Sequence, residues 1–470
     1  MPQTKKDTSM KENKGLRLLL IPLPLQGHIN PMLQLAQILH SNGFSITIIH
    51  TSFNSLNPSN YPHFNFYCIQ DGMSQNEYSS SLLNFVIELN TRCVDPFKEC
   101  LGKLMCDVSK EPIACLISDV MCYFTQDVAT NFQLPRIVLR TGGVCSFVAF
   151  AAFPFLIEKG YLPIQESKLE EEVTELPPLR VKDLPMINTK EPEKYYELIC
   201  NFVNKTKASL GVIWNTFEDL ESSSLSTLSQ QFSIPMFPIG PFHKHFPINN
   251  ASSSSSLISQ DQNCISWLNN HKPKSVVYVS FGSVASITAK EFLEIAWGLV
   301  NSNYPFLWVV RPGLILGHEW IELLPNGFIE NLEGRGYIVK WAPQLEILAH
   351  QAIGSFWTHN GWNSTLESIC EGVPMICMPC FTDQKVNARY VSHVWRIGLQ
   401  LENGMERGKI ERTIRKLMED NIEGNEIRDR ALEFKEEAKV CLEQGGSSCS
   451  SLEKLVAHIL SLKTFTFEAS

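Results

Sequence analysis

Apolar and polar positions along this 470-residue chain fall into a strand–helix rhythm that runs twice. It begins with the apolar run "LRLLLIP" from Leu16, and "NPMLQLAQILHSNGF" follows at helical spacing. Asn30 is expected to cap that helix, Pro31 to fill its first position and Gly43 to mark its exit. "FSITIIH", "NFYCI", "IACLISD" and "RIVLRT" are further strands. The rhythm restarts with "SVVYVSFGS", the helix "TAKEFLEIAWGLVNSN", and then "PFLWVV", "GYIVKW", "IGSFWTH" and "VPMICMP". Such alternation implies parallel sheets with helices on both faces. "FPINNASSSSSLISQDQ", residues 246–262, interrupts it as a serine-rich linker or exposed loop. No short-period repeat is present, which excludes a solenoid. The fold expected is α/β: two doubly wound, Rossmann-like domains, 15–245 and 263–450, facing across a cleft. A C-terminal helix or tail, 451–470, is expected to pack back on the first domain, and the polar residues 1–14 to be disordered.

Doubly wound sheets bind ligands at the carboxyl ends of their strands. The strand "IGSFW" ends in such a place, at "THNGWNSTLESICEG" (358–372), where a helix begins at once. A helix start offers free N–H groups and the positive end of its dipole, which suits an anion such as phosphate. His359, Asn363 and Ser364 add polar side chains there. The same residues admit a second reading: Ser364 and Glu367 form S-x-x-E, a capping box that needs no ligand. A second strand end puts His28 in "PLQGHINP", and a third puts Asp119 at the close of "IACLISD". An imidazole suits a general base near neutral pH, and an Asp behind it fixes the tautomer.

The window from Trp341 to Gln384, "WAPQ…HNGWNS…E…DQ", resembles the 44-residue donor-binding box of plant family-1 UDP-sugar glycosyltransferases. The likeness runs from "PLQGHINP" to "GGSS" near Gly445, nearest to the subgroup that glucosylates small hydroxy acids, steviol glycosides, flavonoids and cytokinins. It implies the two-domain GT-B fold, a metal-free site, and UDP-glucose as co-substrate without a cofactor. By the same resemblance, Trp341 stacks on the uracil, and Gln344 and Glu367 bind the ribose. His359, Asn363 and Ser364, with Ser283, hold the diphosphate; Trp362, Asp383 and Gln384 bind sugar hydroxyls. "QGHxNP" and the "SD" of "LISD" match the family's catalytic pair, His28 and Asp119. Thr141 resembles a residue touching the sugar's O6, though a local turn bond would explain it equally. Asn360 departs from the family's usual cysteine, at a position of backbone and packing.

The implied reaction is a single in-line displacement. His28 takes the acceptor's proton, the oxygen attacks the anomeric carbon opposite UDP, and a β-glucoside results. No D-x-D motif occurs to hold a metal against the leaving diphosphate. In "GGVCSFVAFAAFPFL", Phe147, Phe150 and Phe153 read as core by spacing and as acceptor-pocket lining by resemblance. Arg140 is open to two readings as well, a partner for an acidic acceptor or a surface salt bridge. The acceptor expected is small and mainly apolar, with one hydroxyl or carboxyl.

Composition narrows the alternatives. Hydrophobic residues at 44%, charged residues at 19% and a net charge of -9 give an ordinary globular balance with no basic footprint, against nucleic acid as partner. "LRLLLIPLPL" is too short for a membrane span of about 20 residues and lacks a signal-like cleavage site. The fourteen cysteines are scattered along the chain and fit a reduced, cytoplasmic protein, expected to be a monomer. A dinucleotide enzyme would need G-x-G-x-x-G and a hydrolase G-x-S-x-G; neither occurs. The remaining rival is a nucleotide-sugar or small-molecule binding protein without turnover.

Overall fold

A computed structural model describes residues 14–246, 258–402 and 404–466. Most of the expected disordered leader (1–13) and most of the expected linker (247–257) lie outside these residues.

Two parallel sheets organise the chain. The first holds β1 (Arg17–Ile21), β2 (Ser45–Thr51), β3 (Asn65–Ile69), β4 (Ile113–Asp119), β5 (Arg136–Arg140), β6 (Val212–Trp214) and β7 (Met236–Pro238). Their spatial order is β3-β2-β1-β4-β5-β6-β7. The second holds β8 (Val276–Ser280), β9 (Phe306–Val309), β10 (Gly336–Val339), β11 (Ile353–Thr358), β12 (Met375–Cys377) and β13 (Gly398–Gln400). Their order is β10-β9-β8-β11-β12-β13. Every pairing is parallel; in β1, Leu20 registers with Ile48 of β2 on one side and Ile117 of β4 on the other.

The continuous apolar strands follow from burial on both faces. Leu18 and Leu20 join the core on one side of the first sheet, while Leu19 and Ile21 join the core on the other. Val277 and Val279 are divided from Val276 and Tyr278 in the same way in the second sheet. Each fully buried side chain of this size stabilises the fold by about 1.5–3 kcal/mol. The C-terminal helix Ser447–Thr466 puts Leu455, Ile459 and Leu462 into the core of the first sheet.

Strand order reverses between β1 and β4 in the first sheet and between β8 and β11 in the second. Such switch points open a crevice at the strands' carboxyl ends. His28 follows β1 and Asp119 ends β4; Ser283 follows β8 and His359 follows β11. The candidate residues of each half therefore flank that half's own switch point.

Candidate active site

The first helix starts earlier than its sequence signals suggest. It runs Gln26–Ser41, Leu25 precedes it without a side-chain cap, and Pro31 lies inside. Asn30 is thus not the cap, Pro31 is not at the first position, and His28 stands in the first turn rather than before the helix. Pro31 has no N–H for the carbonyl four residues back, Gly27 O. That freed carbonyl accepts instead from Asn363 Nδ2 at 2.8 Å, a residue of the other half. The proline links the His28 turn to the donor-rich corner.

His28 Nδ1 lies 2.7 Å from Asp119 Oδ2. Asp119 is fully buried, and its other oxygen accepts the Met121 N–H at 2.9 Å. With the Nδ1 proton held toward this carboxylate, Nε2 is left as the basic nitrogen of a partly exposed ring. Thr141 Oγ1 also contacts His28 Nδ1, at 3.0 Å, so the structure puts this hydroxyl on the imidazole.

Across the crevice, the helix Trp362–Glu371 begins after Gly361 with no side-chain cap. The capping-box reading of Ser364 and Glu367 is not realised. Both side chains turn instead to Gln344, whose Nε2 donates to Ser364 Oγ at 2.9 Å and to Glu367 Oε2 at 2.7 Å. Tyr278 OH donates to Gln344 Oε1 at 3.2 Å and completes the knot. Trp341 stands half-buried just beyond β10. His359 is packed between two glycines: a Cβ on Gly282 or on Gly361 would come within 2.5 Å of its ring. Its Nδ1 has no partner. Burial, with the nearby Arg311 cation, pushes the imidazole down to about 4, so it is neutral at pH 7. Burial pushes Glu367 the other way, up to about 7.

Asp383 opens the helix Asp383–Arg389, and Gln384 follows it. Burial raises the Asp383 carboxyl, opposed first by the Arg140 charge and then by His28. Gln384 Oε1 accepts the Cys380 N–H at 2.9 Å and the Phe381 N–H at 3.3 Å, leaving its amide N–H groups for other partners.

The chain and its fold have counterparts among known proteins. Residues 70–429 match the family described as UDP-glucoronosyl and UDP-glucosyl transferase. UDP-glycosyltransferase 76B1 of Arabidopsis thaliana is 55% identical over 445 residues, covering 94% of this chain and 98% of the relative. UDP-glycosyltransferase 76G1 of Stevia rebaudiana is 46% identical, covering 98% of this chain and 100% of the relative. The chain belongs to the UDP-glycosyltransferase family. Among solved structures, Os79 from O. sativa in complex with UDP superposes with a TM-score of 0.80 at 27% identity, over 94% of this chain and 100% of that one. Phytolacca americana UGT2, complexed with UDP-2fluoro-glucose and pterostilbene, gives 0.78 at 25% identity, over 94% and 99%. The fold of this glycosyltransferase is GT-B, and its activity is that of a UDP-glucosyltransferase.

Three expectations need correction within that frame. Phe147 is 1% exposed and packs edge-on against Trp214 with Phe202 and Phe232 around it, so it is core rather than acceptor lining. Arg140 is not at the surface. It is 5% exposed, makes no ion pair among the described residues, and lies over the rings of Phe147, Phe150 and Phe202 at 5.3–5.6 Å. Its Nε has no partner. Trp362 cannot offer its indole N–H to a sugar, because that group donates to Asn215 O of the N-terminal half at 2.8 Å. Its ring is 3% exposed and wedges against Gly143, where a Cβ would stand 2.7 Å away.

Asn360 at the family's cysteine position is explained by its backbone. It has φ 61, in the left-handed region that Asn tolerates well. Its carbonyl accepts from Asn387 Nδ2 at 2.9 Å.

Sequence reasoning missed two residues that brace the candidate site. Arg311, just past β9, donates through Nε to Gly282 O at 3.0 Å and through its other nitrogens to Pro312 O and Ala285 O. It braces the Ser283 loop, and the strand-end rule applied to "FLWVVR" would have found it. Glu221 lies in the helix Glu218–Gln231 and accepts the Val144 and Cys145 N–H groups at 3.1 and 2.9 Å, holding the segment after Thr141. No sequence motif marks it.

Proposed function

We propose that this chain transfers glucose from UDP-glucose to a hydroxyl or carboxyl of a small, mainly apolar plant metabolite, with inversion to a β-glucoside. The observation that carries the reading is the Asn363 Nδ2–Gly27 O bond of 2.8 Å, which joins the turn bearing His28 to the uncapped helix start of the other half. A nucleotide sugar with its diphosphate on that helix start has its anomeric carbon directed toward His28.

In this mechanism His28 Nε2 removes the acceptor's proton while Asp119 steadies the imidazolium that forms. The acceptor oxygen bonds to the anomeric carbon as the bond to UDP breaks. Charge on the departing diphosphate is met by the free N–H groups of the helix Trp362–Glu371, by Asn363, Ser364 and Ser283, and by the neutral His359 as a donor. Trp341 stacks on the uracil, and Gln344 and Glu367 take the ribose. Asp383 and the Gln384 amide take the sugar hydroxyls, while Trp362 acts as a wedge between the halves. Thr141 serves by holding His28 as well as by approaching the sugar. Arg140 adds a buried cation whose charge the Asp383 and Asp119 carboxylates favour.

No cofactor is required by this chemistry, and no metal, since donors for the leaving group are already at hand. Fourteen unpaired cysteines support a reducing, cytoplasmic setting. No helix among the described residues is long and apolar enough to cross a membrane. The enzyme is proposed to act as a monomer.

The test is UDP release from UDP-glucose with a panel of phenols, terpenoid alcohols and hydroxy acids, with a chelator throughout. Release with at least one acceptor, unchanged by chelation, is expected. UDP-glucose binding with no release for any acceptor would favour a binding protein, and chelator-sensitive release restored by magnesium or manganese would overturn the metal-free mechanism.

The raised Glu367 carboxyl gives this reading a pH signature. Accepting two ribose hydroxyls together favours the ionised form, in which both oxygens are acceptors, whereas the unliganded carboxyl holds its proton up to about pH 7. UDP-glucose affinity is therefore expected to climb about tenfold per pH unit below 7 and to level off above it. The diphosphate diester itself does not titrate in this range. Calorimetry from pH 5.5 to 8 checks this, with Glu367→Gln expected to give a flat profile; equal slopes for the two proteins would refute the assignment.

A further inference from the structure

The residue before Asp383 stands in a backbone conformation that its side chain disfavours. Thr382 has φ 50 and ψ -132. That is the region of the first central residue of a type II′ turn, where glycine dominates and a β-branched side chain is strained. Such strain persists only where the surroundings enforce it. Here the enforcing groups belong to the other half of the molecule. Thr382 N–H donates to Met186 O at 3.1 Å, and Thr382 Oγ1 lies 3.3 Å from the Tyr195 hydroxyl. The Tyr195 hydroxyl donates in turn to Pro185 O at 2.6 Å. Tyr195 is 4% exposed in the helix Pro192–Lys207, with its ring edge-on to Phe153. On the far side of the turn, Gln384 Oε1 ties down the Cys380 and Phe381 N–H groups. The turn is thus held from one side by its own half and from the other by the N-terminal half.

We propose that Tyr195 and the 185–186 carbonyls clamp Thr382 in this strained turn and so position Asp383 and Gln384 for the donor's sugar ring. The inference rests on the reading of those two residues as sugar ligands, and it makes Tyr195 a positioning residue. It also means that the sugar subsite is complete only when the two halves are docked. The uracil and diphosphate subsites, built wholly within the C-terminal half, do not depend on the clamp.

Steady-state kinetics with UDP-glucose and UDP-galactose, together with UDP binding by calorimetry, test this on the full-length enzyme. Tyr195→Phe keeps the packed ring and removes the hydroxyl. Its KM for UDP-glucose is expected to rise roughly tenfold, the size of the strain released when the turn relaxes, and its preference for glucose over galactose to shrink. UDP affinity stays at the wild-type value. Thr382→Gly, which occupies the turn without strain, is expected to behave close to wild type and to restore donor KM in the Tyr195→Phe background. An unchanged donor KM in Tyr195→Phe, an equal loss of UDP affinity, or a double variant no better than Tyr195→Phe would overturn the clamp. Asp383→Asn separates the two readings: if it is crippled while Tyr195→Phe is not, only the clamp fails. If Asp383→Asn leaves donor KM and sugar preference intact, the sugar-ligand reading fails and the clamp with it.

Discussion

Replacing His28 with alanine is expected to lower kcat roughly 10²- to 10⁴-fold while leaving UDP-glucose affinity within a factor of about two. The split follows from position. His28 sits in the first turn of the N-terminal helix, and its Nδ1 is committed to the fully buried Asp119 at 2.7 Å. In the proposed mechanism its other nitrogen serves the acceptor, not the nucleotide. Removing the ring takes away the proton acceptor without disturbing Gln344, Ser364 or Glu367, which form a separate hydrogen-bonded knot in the other half. Asp119→Asn should follow with a loss of similar order, since the amide preserves the shape but no longer stabilises an imidazolium. Product formation measured by mass spectrometry, alongside calorimetry with UDP-glucose, reads both quantities. A His28→Ala enzyme with wild-type turnover would remove the general base from the mechanism, whereas lost turnover with equally lost donor affinity would show that His28 supports the donor site instead.

How much of this was legible in the sequence depended on whether a feature is local. Strand and helix alternation is a local pattern, and it identified the strands on either side of both switch points. The candidate donor corner could be proposed from a local pattern because its residues, Ser283 and Thr141 apart, lie within one 44-residue window. Features that need two distant segments were not. The start of the first helix was misjudged because Asn30 and Pro31 are good local signals, but the chain enters the helix at Gln26 and Gly27 O finds its partner 336 residues away in Asn363. The capping box failed for a similar reason: Gln344 takes the Ser364 and Glu367 side chains, and nothing in "STLE" reports it. Arg140 illustrates the limit on charged residues. A lone arginine at a strand end suggests a surface ion pair, and only the fold brings Phe147, Phe150 and Phe202 around it. Tyr195 and Thr382 carry no motif at all; their significance lies in one backbone angle and one interdomain contact.

Adding a single methyl group at Gly282 is expected to be more damaging to donor binding than most side-chain deletions in the proposed diphosphate corner. Two effects add. The residue has φ 71, where a side chain costs about 1–2 kcal/mol. The new Cβ would also stand 2.5 Å from His359 Cε1 and 2.6 Å from Nε2, so the ring must move. The ring has no free space toward Gly361, where a Cβ would likewise stand 2.5 Å from Nε2. Nor can the loop slide away, since Arg311 holds the Gly282 carbonyl at 3.0 Å. The imidazole therefore leaves the helix start it is meant to complete, and UDP-glucose affinity in Gly282→Ala is expected to fall roughly 100-fold, about 2.7 kcal/mol. Gly361→Ala is the informative companion. Its φ of -56 is open to any residue, so it carries the steric conflict with His359 but not the backbone cost. It should lose roughly five- to thirtyfold less than Gly282→Ala, the ratio set by that backbone term. Calorimetry on both variants, with thermal melts to establish that they remain folded, makes the comparison. Wild-type affinity in a folded Gly282→Ala enzyme would mean that the diphosphate does not lie against His359, and the donor would have to be seated elsewhere in the crevice.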